Sequence, residues 1–375
     1  MSIDPVRGGG TAERTVEMSK ALAGNGHATT ILTLDIGITA ARRAELEGVV
    51  VVALPCLSRR FYLPRPKLGV ISSLVESADV VHLMGHWTLL NALVYFYIRK
   101  FDKTYVVCPA GALPLFGRSR RIKTIYNWIV GRNIIRKSDA QIVIAPSETT
   151  QFSEYGVSPE KIVWIPNGIN ISPLQARDDD AFRKRYGLGE FPFILYIGRL
   201  NPIKGPDLLL EAFAQVANEF PEAHLVIAGP DEGMQEQLEK TASDHAMADR
   251  IHFIGHISGE TKSHALHAAQ LMVIPSRQEA MSIVVLEAGI AGLPVLLTDR
   301  CGMNNLRDIG AGVVVPATVE GLRSGLRDLL RNPGKMASVG SNLQAHVYQN
   351  YLWTSIVTKF ETLYRKLAGA RATPA

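Results

Sequence analysis

The chain is predicted to be an α/β protein made of two Rossmann-like, doubly wound parallel-sheet domains. Three observations predict this. Its 375 residues are enough for two hydrophobic cores. Short apolar runs alternate with helical patterns along the chain, as in a parallel sheet covered on both faces. Several of those runs end at Gly-bounded or charged loops that feed helices, and open parallel sheets hold ligands beyond those strand ends.

Composition sets the broad class. Hydrophobic residues make up 47% and charged residues 20%, the balance of a soluble globular protein. No run of about 18 apolar residues predicts a membrane span, and the first residues lack a secretory pattern. Cys56, Cys108 and Cys301 have no metal-ligand spacing, so reduced thiols in a cytoplasmic compartment are expected. Residues 1–170 carry 20 Lys and Arg against 13 Asp and Glu, a surplus of seven positive charges; the rest carries 20 against 22. Any anionic partner or surface is expected on the first half.

The chain opens with Gly8-Gly9-Gly10 feeding a helix over 11–22, closed by Gly24-Asn25-Gly26. A glycine loop between strand and helix lets the backbone approach phosphate. Here Asp4-Pro5 interrupts any preceding strand. The expectation is a reading frame that continues upstream into an apolar first strand, with Gly9 and Gly10 then near bound phosphate. The plainer alternative is an N-terminal turn. Strands are expected over 28–34, 49–54, 79–83, 104–108, 141–145 and 162–165, and helices over 68–77, 89–100 and 149–155. Ile165-Pro166-Asn167-Gly168-Ile169 ends this domain, so the boundaries expected are 1–167, 168–350 and a terminal segment 351–375 with a frayed tail.

The second domain is expected to place strands over 193–198, 225–230, 251–255, 271–274, 295–298 and 313–315, and helices over 207–220 and 353–367. Arg199 and Lys204 sit in the Gly-bounded loop after its first strand. One offers a planar fork of donors, the other a point charge, and both suit a diphosphate. The run 271–274 stops at Pro275, which cannot donate to a sheet ladder. Glu279 follows, then Ser282 as an N-cap candidate and Ile283 opening an apolar helix that carries Glu287. A helix N-terminus is a ready anion site, and the two carboxylates beside it are hydroxyl acceptors. A loop carboxylate and an ordinary helix-surface residue are the bland alternatives for Glu279 and Glu287.

Other features are weaker. His82 and His86 lie near a strand end and His256 follows another; each could line a cleft or be a satisfied structural histidine. The stretch from Arg118 to Lys137 holds seven Lys and Arg and no acid. Ile122, Ile125, Trp128, Ile129 and Arg132 keep helical spacing, so the apolar face is expected to pack on the core while the basic side stays solvated. The charge excess suggests an anionic membrane surface or a phosphate-bearing acceptor. Nucleic acid is not expected, because no stacking aromatics are interleaved. Asp178-Asp179-Asp180 reads as a solvated charge run rather than a metal motif.

Taken together, Glu279 to Glu287 resembles the E-x7-E signature of the retaining family 4 glycosyltransferases. Gly198-Arg199-Leu200 with Lys204-Gly205 is similar to a second motif of that family. His82-Leu83-Met84-Gly85-His86-Trp87 resembles its His-x-His-Gly-x-Trp stretch with Met84 in place of His, and Ala110-Gly111 stands where relatives often have a His. The resemblance implies GT-B architecture, two Rossmann-like domains facing a cleft, with a terminal helix crossing back to the first. It implies a nucleotide-diphosphate sugar donor in the second domain, and a glycan or lipid-linked acceptor in the first. A hexosyl unit would be transferred with retention, with no metal or other cofactor, in cell-surface polysaccharide synthesis at the inner face of the membrane. Arg199 and Lys204 would neutralise the departing diphosphate, Glu279 hold the sugar and Glu287 the ribose. A nucleotide-sugar epimerase and a non-catalytic nucleotide-sugar binder remain as alternatives. A dehydrogenase fits poorly, since residues 8–13 lack the G-x-G-x-x-G spacing.

Overall fold

The computed structural model describes residues 2–5, 8–114 and 120–372, with side chains to 369. The chain divides into two compact units, Met1–Gly168 with Trp353–Ala375, and Ile169–Leu352.

The first unit carries strands β1 (Thr29–Leu34), β2 (Val49–Leu54), β3 (Cys56–Ser58), β4 (Leu63–Pro64), β5 (Val80–Met84), β6 (Thr104–Cys108), β7 (Ala140–Val143) and β8 (Ile162–Trp164). β1 and β2 pair in parallel, β5-β6-β7-β8 form a parallel sheet, and β3 and β4 make a small antiparallel hairpin. Every residue of β6 is buried, as expected of a strand with helices on both faces. Its neighbours in the core include Leu54, Ile71, Ile98 and Phe152. The edges of β1 and β5 that pair with no strand among the described residues border one cavity of about 620 Å³, lined by 29–33 and 78–84. Consecutive strand residues point to opposite faces, so a cavity touching all of them lies at the strand edges.

The helix Gly9–Gly24 buries Ala12, Val16 and Leu22, and with them Arg14. The Arg14 guanidinium reaches Pro166 O at 2.7 Å, Ile165 O at 2.9 Å and Asn167 Oδ1 at 3.0 Å, fixing the turn that leaves the unit. Gly168 follows, where a Cβ would meet the Trp353 ring at 2.5 Å. The terminal helix Trp353–Ala372 returns to this unit; Glu361 accepts from Asn25 at 2.9 Å and lies 3.0 Å from His27 Nε2.

The second unit holds β9 (Phe193–Ile197), β10 (His224–Ala228), β11 (Ile251–Gly255), β12 (Leu271–Ile274), β13 (Val295–Thr298) and β14 (Val313–Val315). They form one parallel sheet in the order β11-β10-β9-β12-β13-β14. This is the doubly wound order 3-2-1-4-5-6, whose direction reverses between β9 and β12. Leu209, Phe213, Leu225 and Leu296 belong to its core.

Asp178-Asp179-Asp180 is solvated as expected, with Asp178 and Asp180 exposed, and it also opens a helix. Asp178 Oδ1 accepts from Ala181 N at 2.9 Å and caps the helix Asp179–Tyr186, and the following acids suit its positive end. A sequence expectation changes at 120–137; Arg118 and Ser119 lie outside the described residues. Helix Arg120–Tyr126 continues through a π turn, Asn127–Gly131, into Arg132–Arg136. Its packed face is not the apolar stripe. Asn127 links His86 Nε2 at 2.9 Å to Tyr155 OH at 2.8 Å, Tyr126 OH donates to Thr88 O at 3.1 Å, and Ile134 and Ile135 are buried. Those partners turn Ile122, Ile125, Trp128 and Ile129 to solvent.

Candidate functional site

β9 and β12 flank the reversal point of the second sheet, and the two charged loops leave from their C-terminal ends. A crevice at that position is the ligand site of open α/β sheets. Gly205 lets the loops meet. It has φ +69° at the start of the helix Pro206–Val216, and a Cβ there would lie 2.2 Å from Pro275 O. Arg277 stitches the same junction. Its backbone N donates to Ile203 O at 2.7 Å, and its guanidinium donates to Pro202 O at 2.7 Å and Asp207 Oδ1 at 2.8 Å.

This contact brings Lys204 to Glu279. Lys204 Nζ is 2.8 Å from Glu279 Oε1, and Ser276 Oγ donates to the same oxygen at 2.5 Å. Asn201 Oδ1 accepts from Lys204 N at 3.0 Å and fixes the turn beneath. Arg199 is not free. Its Nη1 donates to both Glu232 oxygens, at 3.0 and 3.2 Å, and Asn201 Nδ2 donates to Glu232 at 2.6 Å. Burial alone would raise the Glu232 carboxyl, but the bonds from Asn201 and Arg199 outweigh it and hold the group below its usual range. Near Glu279, burial and then the carboxylate charge push the Cys301 thiol up to about 12, so it stays protonated.

The helix Ile283–Ala291 begins as expected, but its cap differs. Ser282 stands at the N-cap position, yet its hydroxyl accepts nothing from the helix; it is buried and has no partner among the described residues. Glu287 is buried, with Oε1 2.6 Å from Lys262 Nζ and Oε2 unpartnered among the described residues. Buried polar atoms are almost always hydrogen-bonded, so the two on this helix suit a polar ligand: a hydrogen donor for the Glu287 carboxylate, and an acceptor or donor for the Ser282 hydroxyl. The arrangement pairs cations able to take a diphosphate with carboxylates able to take hydroxyls.

Of the other predicted residues, Gly9, Gly10, His82 and His86 belong to the first unit and His256 to the second. Gly9 and Gly10 form the first turn of the first unit's opening helix. His82 is turned inward rather than to an open strand end: its Nδ1 is 2.7 Å from Tyr364 OH on the terminal helix. Burial, helped by Arg14, lowers its pKa to about 3. His86 is a buried network residue held by Asn127, and burial lowers it to about 4. His256 is exposed just past β11. The Ala110-Gly111 loop is shaped by a buried carboxylate, since Glu148 accepts from Gly111 N at 2.5 Å and Ile144 N at 2.7 Å.

Sequence reasoning missed Arg277, Asp207, Glu232 and Lys262. Asp207 and Arg277 are separated by 70 positions, and nothing local pairs them. Glu232 had a readable signal, an acid in the turn just past the β10 run.

The chain is similar to known proteins over both units. The description "Glycosyl transferases group 1" matches residues 178–346, and "Glycosyltransferase Family 4" matches residues 8–173. A D-inositol 3-phosphate glycosyltransferase of Geodermatophilus obscurus is 31% identical over 193 residues, 48% of this chain and 43% of that protein. The chain spans about half the length of the curated inositol-phosphate relatives it matches, 43% to 58%. An uncharacterized glycosyltransferase of Methanocaldococcus jannaschii is 25% identical over 95% of this chain and 94% of its own. Among solved structures, Anabaena HepE in complex with UDP and glucose has a TM-score of 0.79 at 18% identity, covering 97% of this chain and 98% of that one. With both halves matched and the fold shared, the chain belongs to the family 4 glycosyltransferases of GT-B architecture.

Proposed function

We propose that the chain transfers a hexosyl unit, with retention of configuration, from a nucleotide-diphosphate sugar to a glycan or lipid-linked acceptor of cell-surface polysaccharide. The observation that carries this is the Lys204–Glu279 pair at the sheet reversal, with Arg199 on the same loop and two buried oxygens, Ser282 Oγ and Glu287 Oε2, left unpartnered among the described residues. The relatives' names and the UDP and glucose bound by HepE support the donor class.

In this reading the donor's C1–O bond to diphosphate breaks while the acceptor oxygen bonds to C1 from the same face. The acceptor proton passes to a departing phosphate oxygen. Lys204 and Arg199 neutralise the charge that grows on the diphosphate, the role a metal ion plays elsewhere. Glu279 holds donor-sugar hydroxyls and Glu287 the ribose. Ser282 and the N–H groups at Ile283 complete the phosphate contacts. We place the reaction in the cytoplasm, at the inner face of the membrane.

The test is incubation of the full chain with UDP-, GDP- and ADP-sugars, followed by thermal-shift measurement and product analysis with acceptors. Transfer that keeps the anomeric configuration and survives a chelator is expected. An altered free nucleotide sugar formed without acceptor would make the protein an epimerase. Stabilisation without turnover on any acceptor would make it a binding protein.

A further inference from the structure

The helical segment that starts at Arg120 carries an apolar ridge that none of the described residues covers. Trp128 is 83% exposed, Ile129 63%, and Ile122 and Ile125 56% each. Soluble proteins rarely leave four such neighbours uncovered without a use for them. Their exposure is not an accident of a loose helix. The opposite face is locked by Asn127 between His86 and Tyr155, by Tyr126 on Thr88 O, and by buried Ile134 and Ile135. The ridge is therefore held outward.

Its surroundings identify what covers it. Arg120, Arg121, Arg132, Arg136 and Lys137 are all exposed, and no Asp or Glu occurs between residues 118 and 137. A protein partner with a buried apolar face would have to desolvate or match these cations. A bilayer with anionic headgroups answers both features at once. Acyl chains take the isoleucines, the interface suits the Trp indole, and headgroups meet the cations. Among the described residues no helix is long and apolar enough to cross a membrane, and the contact argued here runs along a surface.

We propose that the ridge Ile122–Ile125–Trp128–Ile129 inserts into the headgroup region of an anionic bilayer, with the flanking arginines and lysine as its electrostatic ring. The interaction uses the apolar stripe itself, not only the basic charge. It needs no donor and no acceptor, so it stands or falls apart from the glycosyl-transfer reading.

The experiment is flotation of the full chain with vesicles of phosphatidylcholine alone, or of phosphatidylcholine with phosphatidylglycerol. The wild type should float only with phosphatidylglycerol and leave the vesicles at high salt. Trp128→Ala with Ile129→Ala should weaken partitioning more than tenfold, since each large apolar side chain withdrawn from water is worth about a decade or more. Arg120→Glu with Arg121→Glu should weaken it as well. Melting temperatures should stay at the wild-type value in both variants, because the altered side chains are exposed. Brominated lipid should quench the wild type more than Trp128→Phe. Three results would overturn the proposal: no flotation with either vesicle, flotation indifferent to Trp128 and Ile129, or a self-association that these substitutions abolish while vesicles are ignored.

Discussion

Lys204 and Glu279 stand on different loops, 75 residues apart in sequence, yet their charged atoms lie 2.8 Å apart at the point where the second sheet reverses direction. Neither loop could place its residue alone. Gly205 allows the backbone approach, and Arg277 binds the loops to each other.

This pairing predicts different costs for its two members. In the proposed reading Lys204→Ala removes a charge-assisted contact to the diphosphate, worth roughly 1.5–3 kcal/mol, so donor affinity and turnover should both fall. Glu279→Gln keeps the shape and one acceptor. It should slow transfer far more than it weakens binding of the free nucleoside diphosphate, because the sugar is the part it is proposed to hold. Titration calorimetry with diphosphate alone, set beside initial rates, separates the two. Equal losses for both ligands would move Glu279 off the sugar.

Arg199 leads to a less obvious expectation. It is paired with Glu232, and in the proposed reading a diphosphate draws it away or shares it. Glu232→Gln keeps the Asn201 contact in part and weakens the hold on Arg199. Nucleoside diphosphate should then bind several-fold tighter, about 0.5–1 kcal/mol, the worth of a half-exposed ion pair. Tighter binding in Arg199→Ala with Glu232→Gln as well would show that the gain does not come through Arg199.

The backbone junction has its own test. Gly205→Ala needs a left-handed residue and a Cβ 2.2 Å from Pro275 O. Left-handed strain is of order 1–3 kcal/mol, and the clash must push the loops apart as well. Loss of stability in urea melts should come with loss of diphosphate binding. A variant with full stability would mean the loops can separate freely.

The second unit was the more legible of the two. Buried parallel strands read as plain apolar runs, so β9 to β14 and their order of loops could be placed without any tertiary contact. The charged loops were legible for the same reason, since Gly-bounded cations and a Pro-stopped strand have local signals. The segment 120–137 was not. Its apolar spacing pointed inward, while the packed face is set by Asn127, Tyr126, His86 and Tyr155, residues whose pairing depends on the folded chain. The Ser282 hydroxyl likewise stood at the right position for a cap, but whether its oxygen accepts from the helix N–H groups is decided by its surroundings.

The buried histidines give the first unit a defined response to acid. His82 is lowered to about 3 and His86 to about 4, each chiefly by burial, against an ordinary value near 6.5. Both are neutral in the folded chain above those values, whereas the unfolded chain takes up both protons below about 6.5. Between about 6.5 and 4 the unfolded state therefore binds more protons, and stability falls as the pH falls. The slope approaches about 1.4 kcal/mol per pH unit for each histidine, so going from pH 6.5 to 5 costs about 2 kcal/mol apiece at the limit. All four tryptophans, at 87, 128, 164 and 353, lie in this unit, so tryptophan fluorescence, excited selectively over tyrosine, reports on it. Urea midpoints at pH 7 and pH 5 should differ by less in His86→Asn than in the wild type, and by less again when His82→Phe is added. An unchanged difference in the double variant would assign the acid response to groups other than these two rings.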